Sequence, residues 1–163
     1  DTIRGGMTES YEPPSDFLKG VINESVPLGG SSFGQANRVR LIEMTSDANV
    51  TDRDWATFLL AQADFDDDVV RGALRTAADD SDSVVRAEAI LGLTNRSAPE
   101  ALSLVQRELA GEVASIPIME AAEELADPRL IEAVRVFAEG DDWIAEAARR
   151  AMEACSRGAA AAV

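Results

Sequence analysis

Histidine is absent from the 163 residues of this chain, and that absence removes more chemistry than any other feature of the sequence. Without imidazole there is no Ser-His-Asp or Cys-His nucleophile system, no His-ligated zinc or iron, and no histidine proton shuttle. Cysteine occurs once, at Cys155, so neither an internal disulfide nor a thiolate metal site is available. Set in an Ala-rich stretch, Cys155 reads as a small buried hydrophobe, with a reactive thiol as the alternative. Aromatic residues are scarce, at 5%, which suits closely packed helices better than a sheet filled with bulky side chains. No apolar run approaches the roughly 20 residues needed to span a bilayer. The opening "DTIRGGMTES" has no basic region followed by an apolar one, so no signal peptide is visible and the expected location is cytoplasmic.

Positive charge is also in short supply. Fifteen Lys and Arg against thirty Asp and Glu leave a formal charge of −15, which repels phosphate backbones and anionic lipid. Neither nucleic acid nor a membrane is an expected partner. Two readings of the acidity stay open: a surface kept soluble by its charge, or one that favours a basic protein or peptide. What the chain does have is 46% apolar residues, enough for one continuous core in one domain.

From Val50 onward the sequence divides into short amphipathic segments, each opened by an acid or hydroxyl residue and closed by a small polar turn. Thr51 is expected to cap "WATFLLAQAD", Asp67-Asp68 to open "VVRGALRTAA", and Asp82 to open "VVRAEAILGL". Pro99 falls in the expected first turn of "EALSLVQREL", and Asp127-Pro128 reads as cap and first residue of "PRLIEAVRVF". Leu102, Val105 and Leu109 show the helical spacing of apolar residues, as do Leu130, Val134 and Phe137.

Alternate helices fall into register. Trp55, Val85, Ile116 and Ile144 recur at intervals of 30 (85−55), 31 (116−85) and 28 (144−116). A fixed period of this size, with two helices per unit, predicts stacking in which neighbours supply one another's core. The repeated phrase, an acidic residue followed by Val-Val-Arg at Asp68 to Arg71 and again at Asp82 to Arg86, is then a helix start: the carboxylate caps, the valines enter the core, and the Arg pairs with an acid of a neighbouring turn.

"DSDSVVRAEAILGL" (80–93), "EAAEELADPRLIEAV" (120–134) and "EGDDWIAEAARRAM" (139–152) together resemble HEAT-like repeats of the short type named after phycobilin lyases. The resemblance covers residues 50 to 155, with a half-unit at "QANRVRLIEM" before it; Ile116-Pro117 in place of Val-Arg and the longer turn "TNRSAP" depart from the pattern. It implies an all-α, right-handed superhelix of about three and a half helix pairs. No residues here match lyase chemistry, the acidity is unlike the basic groove of HEAT-like DNA glycosylases, and the His-Glu iron ligands of HEAT-like hydroxylases are missing. No cofactor and no catalytic residue are assigned.

In that architecture the second helix of each pair usually lines the binding face. Arg38, Arg40, Arg71, Arg75, Arg107, Arg129 and Arg135 fall on these helices. One reading makes Arg40, Arg71, Arg75, Arg107, Arg129 and Arg135 a row of bidentate donors for an acidic peptide or carboxylate ligand. The other pairs them with Glu43, Glu100, Glu108 and Glu132. Asp64 to Asp68 with Asp79, Asp80 and Asp82 read as helix caps, since they lack the glycine and terminal Glu of a calcium loop. Glu120, Glu123 and Glu124 read as a solvated helix face.

Residues 1–34, rich in Pro, Gly and Ser, stand outside the repeat as a cap or a binding arm, with one or two helical turns expected around Phe17, Leu18, Val21 and Ile22. Residues 35–157 form the repeat domain and 158–163 a flexible tail. The expected function is a scaffold or adaptor that binds a protein partner, the alternative a ligand-binding or lyase-related enzyme. A homodimer built on Trp143 and the last helix is a further possibility.

Overall fold

Capping chemistry decides where the helices begin. A computed structural model describes residues 11–111 and 113–161, and among these every regular element is helical. The helices are α1 (Asp16–Ile22), α2 (Ser32–Met44), α3 (Val50–Gln62), α4 (Asp68–Ala77), α5 (Ser83–Asn95), α6 (Ala101–Leu109), α7 (Ile116–Leu125), α8 (Ile131–Arg135) and α9 (Trp143–Ala161), with a 3-10 turn at Pro128–Leu130 leading into α8. Asp67 accepts from the Val70 amide and Asp82 from the amides of Val84 and Val85, satisfying donors that a helix start leaves open. The cap of α3 is Asn49 rather than Thr51, because the Asn49 side chain reaches two amides, those of Thr51 and Asp52. Pro99 lies ahead of α6, whose cap position is Glu100.

Helices α3, α5, α7 and α9 pack successively side by side into one layer. Helix α4 lies against α3 and α5, α6 against α5 and α7, and α8 against α6 and α9. Helix α5 is the hub, and Val85, Ala89, Ile90 and Leu93 are each fully buried. At Gly92 an added Cβ would sit 2.8 Å from the Ala61 Cβ, so glycine permits the close approach of α5 to α3. Burial of this core, including Leu60, Leu74, Met119, Leu130 and Val134 at 0% exposure, supplies the main driving force at roughly 25 cal/mol per Å² of apolar surface.

The caps fall 33 residues apart (82−49 and 115−82), then 27 (142−115), at Asn49, Asp82, Ser115 and Asp142. In each Val-Val pair only the second residue is core: Val70 and Val85 are buried, while Val69 and Val84 are 65% and 48% exposed. The arginine that follows does what the phrase predicts. Arg71 donates to both oxygens of Asp66 at 2.7 Å and to the Arg96 carbonyl, and Arg86 grips Glu108 and the carbonyls of Asp80 and Ser81.

Ser15 caps α1, which buries Phe17, Leu18 and Val21 against the end of the stack at α3. Residues 1–10 of the expected arm lie outside the described residues. At the other end α9 continues to Ala161, past the expected limit at 157; its alanines favour helix, and Gly158 packs tightly onto the left-handed Ala126 that ends α7. Among the described residues no helix is long and apolar enough to cross a membrane.

Candidate functional site

A cavity of about 410 Å³ opens on the face of the α3/α5/α7 layer from which α4 and α6 are absent. Helix α3 contributes Trp55, Phe58, Leu59 and Gln62, three- and four-residue spacing that puts all four on one side of the helix. Helix α5 contributes Glu88 and Leu91, α7 contributes Ile116, Pro117 and Glu120, and the end of α1 closes one wall with Val21, Ile22 and Glu24. Tyr11 stacks on Trp55 with ring centroids 6.1 Å apart, and Phe58 meets Trp55 edge-on at 5.7 Å. The Tyr11 hydroxyl donates to Asp54 at 3.0 Å and the Ser15 amide to Asp52 at 3.0 Å, tying the segment before α1 to the start of α3.

A second depression continues the groove along α5 and α7, lined by Gln62, Leu91, Asn95, Glu120, Glu123 and Glu124. Glu120 is common to both. Burial holds its carboxyl above the usual carboxylate range, a shift that the Arg150 guanidinium opposes and the Glu123 carboxylate reinforces. Arg150 itself lies 3.6 Å from Glu123 and 3.7 Å from Glu146. Among the described residues no lysine or arginine lines either depression.

The arginines singled out by the sequence lie elsewhere, on α2, α4, α6, the 3-10 turn and α8. Their donors go to neighbours. Arg75 pairs with Glu100, Arg107 with Asp79 at 2.8 Å and Glu108 at 3.2 Å, Arg129 with Asp127 at 2.7 Å, and Arg135 with Glu132 at 2.8 Å. Arg40 lies over the Phe17 ring at 4.3 Å, and Arg38 over Phe65 at 4.2 Å while donating to the Leu28 carbonyl. None of the six proposed binding arginines lines the large cavity. They are spread along α2, α4, α6, the 3-10 turn and α8, five of them paired with acids of their own or a neighbouring segment and Arg40 stacked on Phe17.

The acidic turns act within the fold: Asp67 and Asp82 cap, while Asp80 holds Arg53. Glu120, Glu123 and Glu124, expected to be a solvated face, border the groove, with Glu124 exposed and Glu120 half-buried. The groove residues were hidden in the sequence because their spacing is the ordinary spacing of a helix face. The available signal was α3 itself, which carries Trp55 and Phe58 in a chain with so few aromatics.

Fold and groove together define an all-α protein with an apolar, acid-rimmed depression across three helices of one layer. No family model matches the chain. Over 91 residues, 56% of this chain and 32% of the relative, it is 34% identical to Protein YibA of Escherichia coli strain K12, and to the same degree to Protein YibA of Escherichia coli O157:H7. The X-ray structure of Escherichia coli YibA superposes with a TM-score of 0.56 and 24% identity, covering 84% of this chain and 54% of that one. The chain thus spans about a third of the length of the curated relatives it matches, and the structural likeness is one of fold.

Proposed function

We propose that this chain is a protein-interaction module, a short right-handed solenoid of HEAT-like helix pairs that binds a partner protein in the groove formed by α1, α3, α5 and α7. The observation that carries the reading is the groove itself: a depression of about 410 Å³ with Trp55, Phe58, Leu91 and Ile116 in its walls. Aromatic and aliphatic side chains recessed in a pocket are what anchors of a partner protein fill. The helix-cap spacing near 33 residues and the side-by-side packing of α3, α5, α7 and α9 support the repeat architecture.

A second reading, a small-molecule site, is favoured by the cavity's volume, which lies within the roughly 300–1,000 Å³ of ligand pockets. Capture from a lysate of the source cells separates them. The wild type is compared with Phe58→Ser/Ile116→Ser and with Arg40, Arg75, Arg107 and Arg135 all changed to Ala. The module reading expects a stoichiometric protein retained by the wild type and the arginine variant, and lost from the groove variant at an unchanged melting temperature. A partner retained by the groove variant, or lost only with the arginines, overturns the placement. A small molecule recovered from the wild type alone favours the second reading.

A further inference from the structure

We infer that a carboxylate of the docked partner, carried on an aspartate or glutamate side chain, is received by the Arg38 guanidinium in a depression that continues the groove toward α2. The inference rests on the reading of the groove as a docking face and adds the chemistry of what lands at one end of it.

Three observations support it. First, the place has the shape of a receptor. A depression of about 300 Å³ has Val21, Leu28 and Leu59 as its apolar wall and Arg38 as its cation. Val21, Leu59 and Gln62 line both this depression and the larger cavity, so the two are continuous.

Second, the guanidinium is held in place but not neutralised. Its Nε donates to the Leu28 carbonyl at 2.6 Å, and its central carbon lies 4.2 Å from the centre of the Phe65 ring. These contacts orient the planar head and leave the N–H groups of its two terminal nitrogens without an acceptor among the described residues. Arg71, Arg75, Arg107, Arg129 and Arg135, on the later second helices, each have a carboxylate; Arg38 has none among the described residues. A fork already fixed in position loses little further freedom when it takes a carboxylate bidentately.

Third, the surroundings select among anions. The exposed Asp64 borders the same depression without pairing with Arg38. Together with the net charge of −15, it penalises a doubly charged phosphate more than a singly charged carboxylate. Asp64 also gives the inference a sign: because it opposes an incoming negative charge, removing its own charge strengthens the binding of an acid and weakens that of a base.

The test is a selection of random twelve-residue displayed peptides on the wild-type protein, with counter-selection on Phe58→Ser/Ile116→Ser so that only groove-dependent binders survive. The expected survivors carry Asp or Glu beside an aliphatic residue. For a synthesised survivor, Arg38→Gln should weaken binding at least about tenfold, or about 1.4 kcal/mol. Replacing the peptide's acid with its amide should cost the same factor on the wild type and nothing more on Arg38→Gln. Asp64→Asn, which leaves the contacts of Arg38 in place, should tighten binding about threefold, while Arg135→Gln on α8 should change it less than about twofold. Survivors without an acid, survivors indifferent to Arg38→Gln, or weaker binding to Asp64→Asn overturn the carboxylate assignment and leave the docking face standing. Failure to recover any groove-dependent peptide overturns both.

Discussion

The Arg53 guanidinium grips both carboxylate oxygens of Asp80, at 2.7 and 3.2 Å, and links the start of α3 to the turn before α5 across 27 residues of sequence. A third arm of the same guanidinium reaches the Asp47 carbonyl at 2.9 Å, and the Asp82 amide donates to Asp80 in turn. Both partners are largely shielded, with side-chain exposures of 16% and 12%. Changing Arg53 to Ala should cost about 2–3 kcal/mol in urea unfolding, more than a surface pair, because Asp80 is left with fewer donors in a shielded position. A loss below about 0.5 kcal/mol would mean that water replaces the guanidinium freely.

Arg96 should matter more. Its guanidinium is buried and donates to the carbonyls of Leu60, Ala61, Ala63, Phe65 and Gly92 at 2.8–3.1 Å, closing the C-terminal end of α3. Helix ends leave carbonyls without partners, and a cation there also meets the negative end of the helix dipole. Burial pulls its pKa below the ordinary arginine value, and the Asp66 carboxylate offsets part of that. Arg96→Met should destabilise by about 3 kcal/mol or more. Arg96→Lys should recover little, since one ammonium cannot replace a planar fork shared among five carbonyls; full recovery by Lys would show that charge alone is at work.

Stability should respond to acid with two opposite signs. Arg71 holds the Asp66 carboxyl below its usual range, Arg75 does so for Glu100, and Arg129 for Asp127. For Asp80, burial pushes upward but the hydrogen bonds from Arg53 and the Asp82 amide prevail, and the carboxyl is lowered. Each of these groups binds fewer protons folded than unfolded, so its contribution is complete above the unfolded pKa and is lost as pH falls through the folded one. Melting temperature should therefore fall as pH drops below about 4.

Glu120 carries the reverse sign. Its folded pKa is raised, so the folded state binds more protons, and stability falls as pH rises from the unfolded pKa through the folded one. Glu120→Gln should raise the melting temperature near neutral pH and leave it unchanged at about pH 3, where the Glu120 carboxyl is protonated in the folded and the unfolded state alike. An equal gain at both pH values would trace the effect to packing.

Gly92→Ala should lower stability by about 1–3 kcal/mol, because the added methyl meets Ala61 of α3 at 2.8 Å and Leu74 of α4 at 3.3 Å. A neutral result in a thermal melt would mean that α3 and α5 separate without loss of packing.

Features set by nearest neighbours were legible before any coordinates. Asp67, Asp82 and Asp127 cap as expected because a cap is a contact over two or three residues. The all-helical class followed from the apolar spacing. Trp55 misled the register: it is a groove residue, while the position equivalent to Val85 in α3 is Asp52, three residues after its cap. The arginine row could not be judged from spacing, since the partner of Arg75 lies 25 residues away at Glu100 and that of Arg107 lies 28 away at Asp79. The groove was illegible for the same reason, being assembled from four helices whose individual faces look ordinary.

Cys155 sits at the opposite end of the stack from α1, wholly buried, with its Sγ 3.6 Å from the Ala122 carbonyl and its thiol pKa pushed up by burial. Such a sulfur meets a reagent only when α9 lifts away from α7. The chain therefore contains its own stopwatch for opening: thiol labelling of the unmodified protein times the release of the last helix. Whether that time lengthens when something fills the groove, which shares α7 with the Cys155 site, would reveal how far along the stack one event is felt.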